Sequence, residues 1–256
     1  LGQPFEGILQ QINDASAGLL EQLDQAGELP RKAGKTLVLH RPQGLAAERL
    51  IVVGLGKAEE LDGIAFVRAA QAAGKTLRQS QAKTAHCLLS ETAVHGRERA
   101  WVARQAALAL AHSNYIYSAT KKPKEDAAPA TESVSFPEHD GIERQLKIAS
   151  ALAAGIQTTR DLGDLPPNVC TPVYLAEFAT RLASEIDGLE VEILDEDQMT
   201  KLKMNALLAV GQGSVNPSRL IRLRWRGGKD DEAPLAMVGK GVTFDTGGIS
   251  IKPREL

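Results

Sequence analysis

Short runs of apolar residues alternate with segments of helical apolar spacing in the first part of the chain. The runs Thr36–His40 and Arg49–Val53 are bounded by glycine and proline, which predicts two buried strands. Asp62 can cap a helix that continues to about Gln79. A strand over 86–89 and an alanine-rich helix over 98–111 extend this α/β pattern, which favours a largely parallel sheet. The stripe predicted to face the core from the first helix is Ile64, Val67, Ala70 and Leu77.

The pattern changes over residues 115–137, where charged residues and prolines predict a solvated loop. Apolar residues then return at helical spacing from about 141 to 162, which predicts one long helix. Because it follows a loop, this helix is suited to connecting two domains. Its predicted apolar stripe is Ile142, Leu146, Ala149, Ala153 and Ile156.

A second α/β region begins near Leu165. Thr171 and Pro172 are the residue types expected at the N-cap and the first position of a helix. Asp195 and Gln198 have the spacing of a capping box, which predicts a second, shorter helix. Strands are predicted over 189–194, 206–210, 219–225 and 235–238.

Composition narrows the class of protein without indicating a function. The 256 residues are 43% hydrophobic and 24% charged, as in ordinary soluble domains, and the net charge is -2. Bulk charge therefore points to neither nucleic acid nor an anionic membrane. The two cysteines, Cys87 and Cys170, do not form a secreted disulfide framework, and no apolar stretch approaches the roughly 20 residues of a membrane span. We therefore expect a cytoplasmic protein with no membrane partner.

The residues best suited to catalysis or ligand binding lie in the segment VGKGVTFDTGGISIKP, residues 238–253, after a predicted strand. It combines Lys240, Asp245 and Lys252 with interleaved glycines, which let the backbone approach a ligand closely. Asp245 is a hard oxygen ligand for divalent ions, whereas a lysine can bind metal only as the neutral amine. On composition alone, a glycine-rich turn with solvated lysines is the favoured reading.

A nucleotide site has little support elsewhere in the chain. The phosphate-loop pattern is absent, and the Gly-Leu-Gly at Gly54–Gly56 lacks the third glycine of a dinucleotide fingerprint. We interpret those two glycines as a strand-to-helix turn, and we expect no cofactor-binding residues there.

The segment 238–253 resembles the metal-binding signature of the leucine aminopeptidase (cytosol aminopeptidase) family. The stretch TTRDLGDLPPNVCTPVYLAE, residues 158–177, resembles the start of that family's catalytic domain, and LLAVGQGS, residues 207–214, resembles a strand and turn that follow. Two N-terminal stretches, DASAGLLEQL and LIVVGLGK, are similar more loosely. The resemblance therefore extends over nearly the whole chain.

The resemblance implies an α/β fold with two domains. Residues 1–137 would form an N-terminal α/β domain similar to a macro domain, and 138–164 a linker helix. Residues 165–256 would be the first part of a mixed-sheet α/β catalytic domain of the zinc-peptidase type.

The resemblance also implies a chemistry. Lys240 would bind one of two divalent ions, Mn²⁺ or Zn²⁺, Asp245 would bridge both, and Lys252 would be the catalytic lysine. The expected activity is release of N-terminal leucine and other bulky apolar residues from peptides, by a homohexamer.

The sequence differs from the family's pattern in two respects. Thr246 stands where the family commonly has serine, and the family's remaining metal carboxylates and its catalytic arginine are not among these residues. We therefore expect that this polypeptide is a fragment that lacks an initiator methionine and is inactive alone. Two alternatives remain: DNA binding, suggested by the run Lys121, Lys122 and Lys124, and small-molecule binding by the N-terminal domain.

Overall fold

A computed structural model describes residues 5–122, 131–229, 231–245, 247 and 249–250. The chain divides into two compact units, Leu1–Asp161 and Leu162–Leu256, and each is described by itself. Both units combine helices with strands, so the α/β fold class is confirmed.

The elements of the first unit follow in chain order. They are α1 (Gly7–Ala15), α2 (Leu19–Gln25), β1 (Thr36–His40), β2 (Arg49–Val53), α3 (Gly63–Gln79), β3 (Thr84–His86), α4 (Arg99–Ser113), β4 (Ser133–Ser135) and α5 (Ile142–Asp164), whose last residues belong to the second unit. Short 3₁₀ turns lie at Ala58–Glu60 and Leu89–Glu91.

The strands of the first unit are not largely parallel. β1 and β2 have the predicted bounds, but they pair antiparallel, with Thr36 opposite Val53. Because only residues 41–48 join them, the chain has no room for the crossover that parallel pairing needs. β3 and β4 are parallel, and the long stretch between them contains α4.

Asp62 caps α3 as predicted, but the buried face of the helix differs from the predicted stripe. The carboxylate accepts hydrogen bonds from the backbone N–H groups of Ile64 and Ala65, at 2.9 and 2.8 Å. Ile64 is 65% exposed, whereas Ala70 and Leu77 are buried. The core-facing stripe is rotated toward Phe66, Ala69 and Ala73, which have the spacing of one helix face.

The core of the first unit forms where α3 packs against α4. Small alanines at the contact let the two helices approach closely. The Phe66 and Trp101 rings lie 6.1 Å apart, and burying such rings is a large apolar contribution to folding. The buried members of this cluster are Leu61, Phe66, Leu77, Cys87, Val94, Val102, Ala106 and Leu110.

The helix α5 has 23 residues, in agreement with the long helix predicted over 141–162. Its predicted apolar stripe is the less exposed face, although only Ala149 is fully buried. Near its start, Arg104 of α4 donates a hydrogen bond from Nη1 to Oε1 of Gln145 at 3.2 Å.

Two helices of the second unit begin where the sequence predicts. Its elements are α6 (Pro172–Glu185), β5 (Leu189–Leu194), α7 (Glu196–Lys201), α8 (Asn205–Gly211) and β6 (Leu220–Trp225). Thr171 caps α6, since its hydroxyl accepts from the N–H of Tyr174 at 3.2 Å. Asp195 and Gln198 form the predicted capping box, with bonds of 2.8 and 2.9 Å.

Two strands predicted for this unit are absent from the described residues. Residues 206–210 lie in the helix α8, because their alanines and leucines are strong helix formers. Residues 235–238 adopt neither helix nor strand, and Leu235 and Val238 are 89% and 98% exposed. A strand needs a hydrogen-bonded neighbour, and the described residues provide none for this run.

β5 and β6 pair antiparallel, with one apolar and one charged face. Val191 lies opposite Leu223 on the apolar face. On the other face, Arg222 contacts Glu192 at 2.7 Å. Gly188, at φ +79°, lets the chain turn between α6 and β5, as the sequence indicates. Within the described parts of the chain, no helix has the length and apolar character needed to cross a bilayer.

Candidate functional site

The glycine-rich segment predicted to bind metal lies on the surface of the second unit. Over residues 238–245 the backbone forms neither helix nor strand. Lys240 is exposed, and Phe244 beside Asp245 is 67% exposed. The segment therefore presents its side chains to solvent.

Asp245 has a defined local geometry. Its Oδ1 accepts a hydrogen bond from the backbone N–H of Gly247 at 2.9 Å. Gly247 has φ +89°, a left-handed conformation that favours glycine. This short turn between side chain and backbone orients the carboxylate relative to the segment.

Of the three predicted site residues, Lys240 and Asp245 lie among the described residues. Lys252, the predicted catalytic lysine, lies outside the described residues, as do Thr246 and Gly248. The alternative reading, a glycine-rich turn with solvated lysines, also fits an exposed Lys240.

The donor set fits divalent ions in type but not in number. A carboxylate and a neutral amine are suitable ligands, yet a divalent ion takes about four to eight ligands in all. Among the residues that the structure describes, no cluster of three or more His, Cys, Asp or Glu side chains could hold a metal ion. The described residues therefore do not by themselves form a dinuclear centre.

The two cysteines have the properties of structural residues rather than nucleophiles. Both are free and buried. Burial raises the pKa of the Cys87 thiol to about 11, although backbone N–H groups of Leu89 and Ser90 oppose the shift. Burial also raises the pKa of Cys170. A thiol reacts as the thiolate, so both cysteines are poorly reactive near neutral pH.

Two concave surfaces, one in each unit, are formed by described residues outside the candidate segment. An open groove of about 470 Å³ in the second unit is lined by α6 residues, including Glu177 and Arg181, and by Arg219. A cavity of about 320 Å³ in the first unit lies among Leu77, Leu110 and other mostly apolar residues. None of the described residues of 238–250 lines either one.

Arg160 makes a specific contact that the sequence did not predict. Arg160 belongs to the stretch 158–177, and its guanidinium carbon lies 3.9 Å from the centre of the Tyr115 ring. The only sequence signal was its place in a motif, which gave no indication of its partner.

Comparison with known proteins identifies the family. Residues 2–124 match the model of the cytosol aminopeptidase family N-terminal domain, and residues 157–256 match the model of that family's catalytic domain. The chain belongs to the cytosol aminopeptidase family. The candidate segment 238–253 lies inside the catalytic-domain match.

Individual members of the cytosol aminopeptidase family and its structural relatives agree with this assignment. A probable cytosol aminopeptidase of Stenotrophomonas maltophilia is 43% identical over 95% of this chain and 49% of its own length. A mutant of tomato leucine aminopeptidase has a TM-score of 0.79 at 29% identity, covering 94% of this chain and 48% of that one. The chain thus spans about half the length of the curated relatives it matches.

A third similarity is one of fold alone. The bottromycin maturation enzyme BotP in complex with Mn has a TM-score of 0.67 at 24% identity, covering 78% of this chain and 41% of that chain.

Proposed function

We propose that this chain is part of a metal-dependent aminopeptidase that releases N-terminal amino acids from peptides, preferably leucine and other bulky apolar residues. The observation that carries the proposal is the position of Lys240 and Asp245 in a glycine-rich segment of a cytosol aminopeptidase catalytic-domain match. The names of the relatives support a peptide as the substrate.

Each site residue has a proposed role. Lys240, as the neutral amine, would hold one of two divalent ions, Mn²⁺ or Zn²⁺, and Asp245 would bridge both. Bound divalent ions supply a water of lowered pKa and a template that orients the substrate. Lys252 is the catalytic lysine, and its ammonium group stabilises the negative charge that develops on the carbonyl oxygen of the cleaved bond.

We further propose a division into domains at 1–137, 138–164 and 165–256, a cytoplasmic location and assembly as a homohexamer. The helix α5 supports the linker, since it runs from the end of the first unit into the beginning of the second.

Because Lys240 and Asp245 offer too few donors for two ions, we also propose that residues 1–256 alone neither retain two ions nor hydrolyse peptides. The test is metal analysis of the purified polypeptide after dialysis against Mn²⁺ or Zn²⁺. Fewer than two ions per chain are expected, and two tightly retained ions would contradict this part of the proposal.

The activity itself is tested on the complete gene product that contains this chain. Hydrolysis of leucine p-nitroanilide is expected to require Mn²⁺ or Zn²⁺ and to stop in EDTA. Lys252→Ala should lower kcat by about 10²-fold or more, as expected for loss of a group that stabilises an oxyanion. Asp245→Asn should abolish metal-dependent activity, whereas Lys201→Ala, at an exposed position of α7, should leave it unchanged.

Two results would overturn the proposed function. One is hydrolysis that survives complete metal removal. The other is undiminished kcat in the Lys252→Ala variant.

A further inference from the structure

Arg160 has no part in the proposed metal site, although it belongs to the stretch that resembles the start of the catalytic domain. It lies near the end of α5 and is itself exposed. Its guanidinium carbon is 3.9 Å from the centre of the Tyr115 ring, which is within the range of a cation–π contact. A planar guanidinium can stack on an aromatic face in a way that a lysine ammonium cannot.

The backbone that carries Tyr115 is held in place by other elements of the first unit. Arg78, in the last turn of α3, donates from Nη1 to the carbonyl oxygen of Asn114 at 2.8 Å. The Asn114 side chain donates to the Thr131 carbonyl at 2.8 Å and accepts from the Thr131 N–H at 3.3 Å. Tyr115 therefore gives Arg160 a fixed surface to pack against.

The rest of α5 has little burial to hold its far end. Over the whole of this described helix, Ala149 is the one buried residue. The hydrogen bond between Arg104 and Gln145 lies near its start, roughly 22 Å along the helix axis from Arg160 at about 1.5 Å per residue. The first unit ends at Asp161, immediately after Arg160.

We propose that Arg160 is a positioning residue. Its stack on Tyr115 fixes the last turns of α5 and thereby the point at which the chain enters the segment matched to the catalytic domain. An effect of this positioning on catalysis rests on the proposed function. The contact itself and its effect on α5 do not.

The test is amide hydrogen exchange on the 256-residue polypeptide. Arg160→Met removes the guanidinium at similar side-chain length, and Tyr115→Leu removes the ring. Each should raise exchange at residues 158–164 by about 2- to 5-fold, the factor that corresponds to an exposed cation–π contact. Arg144→Met, at an exposed arginine near the start of the same helix, should exchange like the parent.

Coupling between the two residues decides the interpretation. Arg160→Met combined with Tyr115→Leu should raise exchange no further than either change alone. Unchanged exchange at 158–164 in both single variants would overturn the proposal, and so would fully multiplicative effects in the double variant. Exchange requires no peptidase activity, so a failure of the proposed function would leave this result decisive.

Discussion

At the scale of single residues, Gly54 shows why a glycine-rich pattern need not indicate a ligand site. Its N–H donates to the Lys35 carbonyl at 2.8 Å, and its own carbonyl accepts from the Gly34 N–H at 2.9 Å. A Cβ at this position would overlap the carbonyl oxygens of Pro30 and Lys32. The glycine is therefore needed for a close backbone approach at the end of β2, in line with its interpretation as part of a turn.

Replacing Gly54 by alanine should destabilise the first unit by about 1–3 kcal/mol, since backbone atoms must move to admit the methyl group. The measurement is urea unfolding of the variant and the parent. Gly155→Ala is the matched control, because Gly155 lies inside α5 and a Cβ added there meets nothing within 4 Å. That change should be neutral or stabilising by up to about 1 kcal/mol. Equal effects at the two positions would contradict the steric argument.

The segment of the candidate site could be proposed from the sequence, whereas a contact outside that site could not, and the reason lies at the scale of residues. Lys240, Asp245 and Lys252 share one short segment, so their spacing and the interleaved glycines are visible in sequence. The turn between Asp245 and Gly247 is equally local. The contact between Arg160 and Tyr115 joins residues far apart in sequence, and no spacing rule can reveal such a pair.

At the scale of elements, the correct predictions are those that depend on residues close together in sequence. Helix starts at Asp62, Thr171 and Asp195 are correct because the capping side chain and the capped N–H groups are neighbours in sequence. The strand predicted over 206–210 is wrong, since a short apolar run does not distinguish a strand from a helix. The run over 235–238 depends on a pairing partner that its own sequence cannot supply.

The cap of α3 gives a test at this scale. Asp62→Ala leaves the N–H groups of Ile64 and Ala65 without their acceptor and should lower the stability of the first unit by about 1 kcal/mol. Asp62→Asn retains an acceptor oxygen and should preserve most of that stability. Thermal unfolding followed by circular dichroism measures both variants. A loss as large in Asp62→Asn as in Asp62→Ala would show that the carboxylate acts through its charge instead.

At the scale of the whole molecule, the two units differ in how much they bury. The first unit has a continuous apolar cluster that includes the fully buried Phe66 and Val102. Among the described residues of the second unit, Met199 is the large side chain that is fully buried, and many apolar residues are exposed. Each unit therefore has buried side chains of its own.

Truncating one large buried side chain in each unit tests how far that side chain stabilises its own unit. Phe66→Ala should cost about 3–5 kcal/mol in the first unit, and Met199→Ala about 2–5 kcal/mol in the second. Hydrogen exchange should rise in α3 and α4 for the first variant and in α7 and α8 for the second. If either variant accelerates exchange equally in both units, their stabilities are coupled and the expectation is wrong.

The antiparallel pair β5 and β6 has a consequence for handling the polypeptide. Among the described strands, β6 pairs with β5 on one side only, and its Leu223 and Trp225 are 47% and 63% exposed. An open edge with apolar side chains is a template for intermolecular β-pairing, so aggregation should begin at this edge. Arg222 and Arg224 on the charged face should oppose aggregation, because charged residues within an apolar strand disfavour β-pairing between chains.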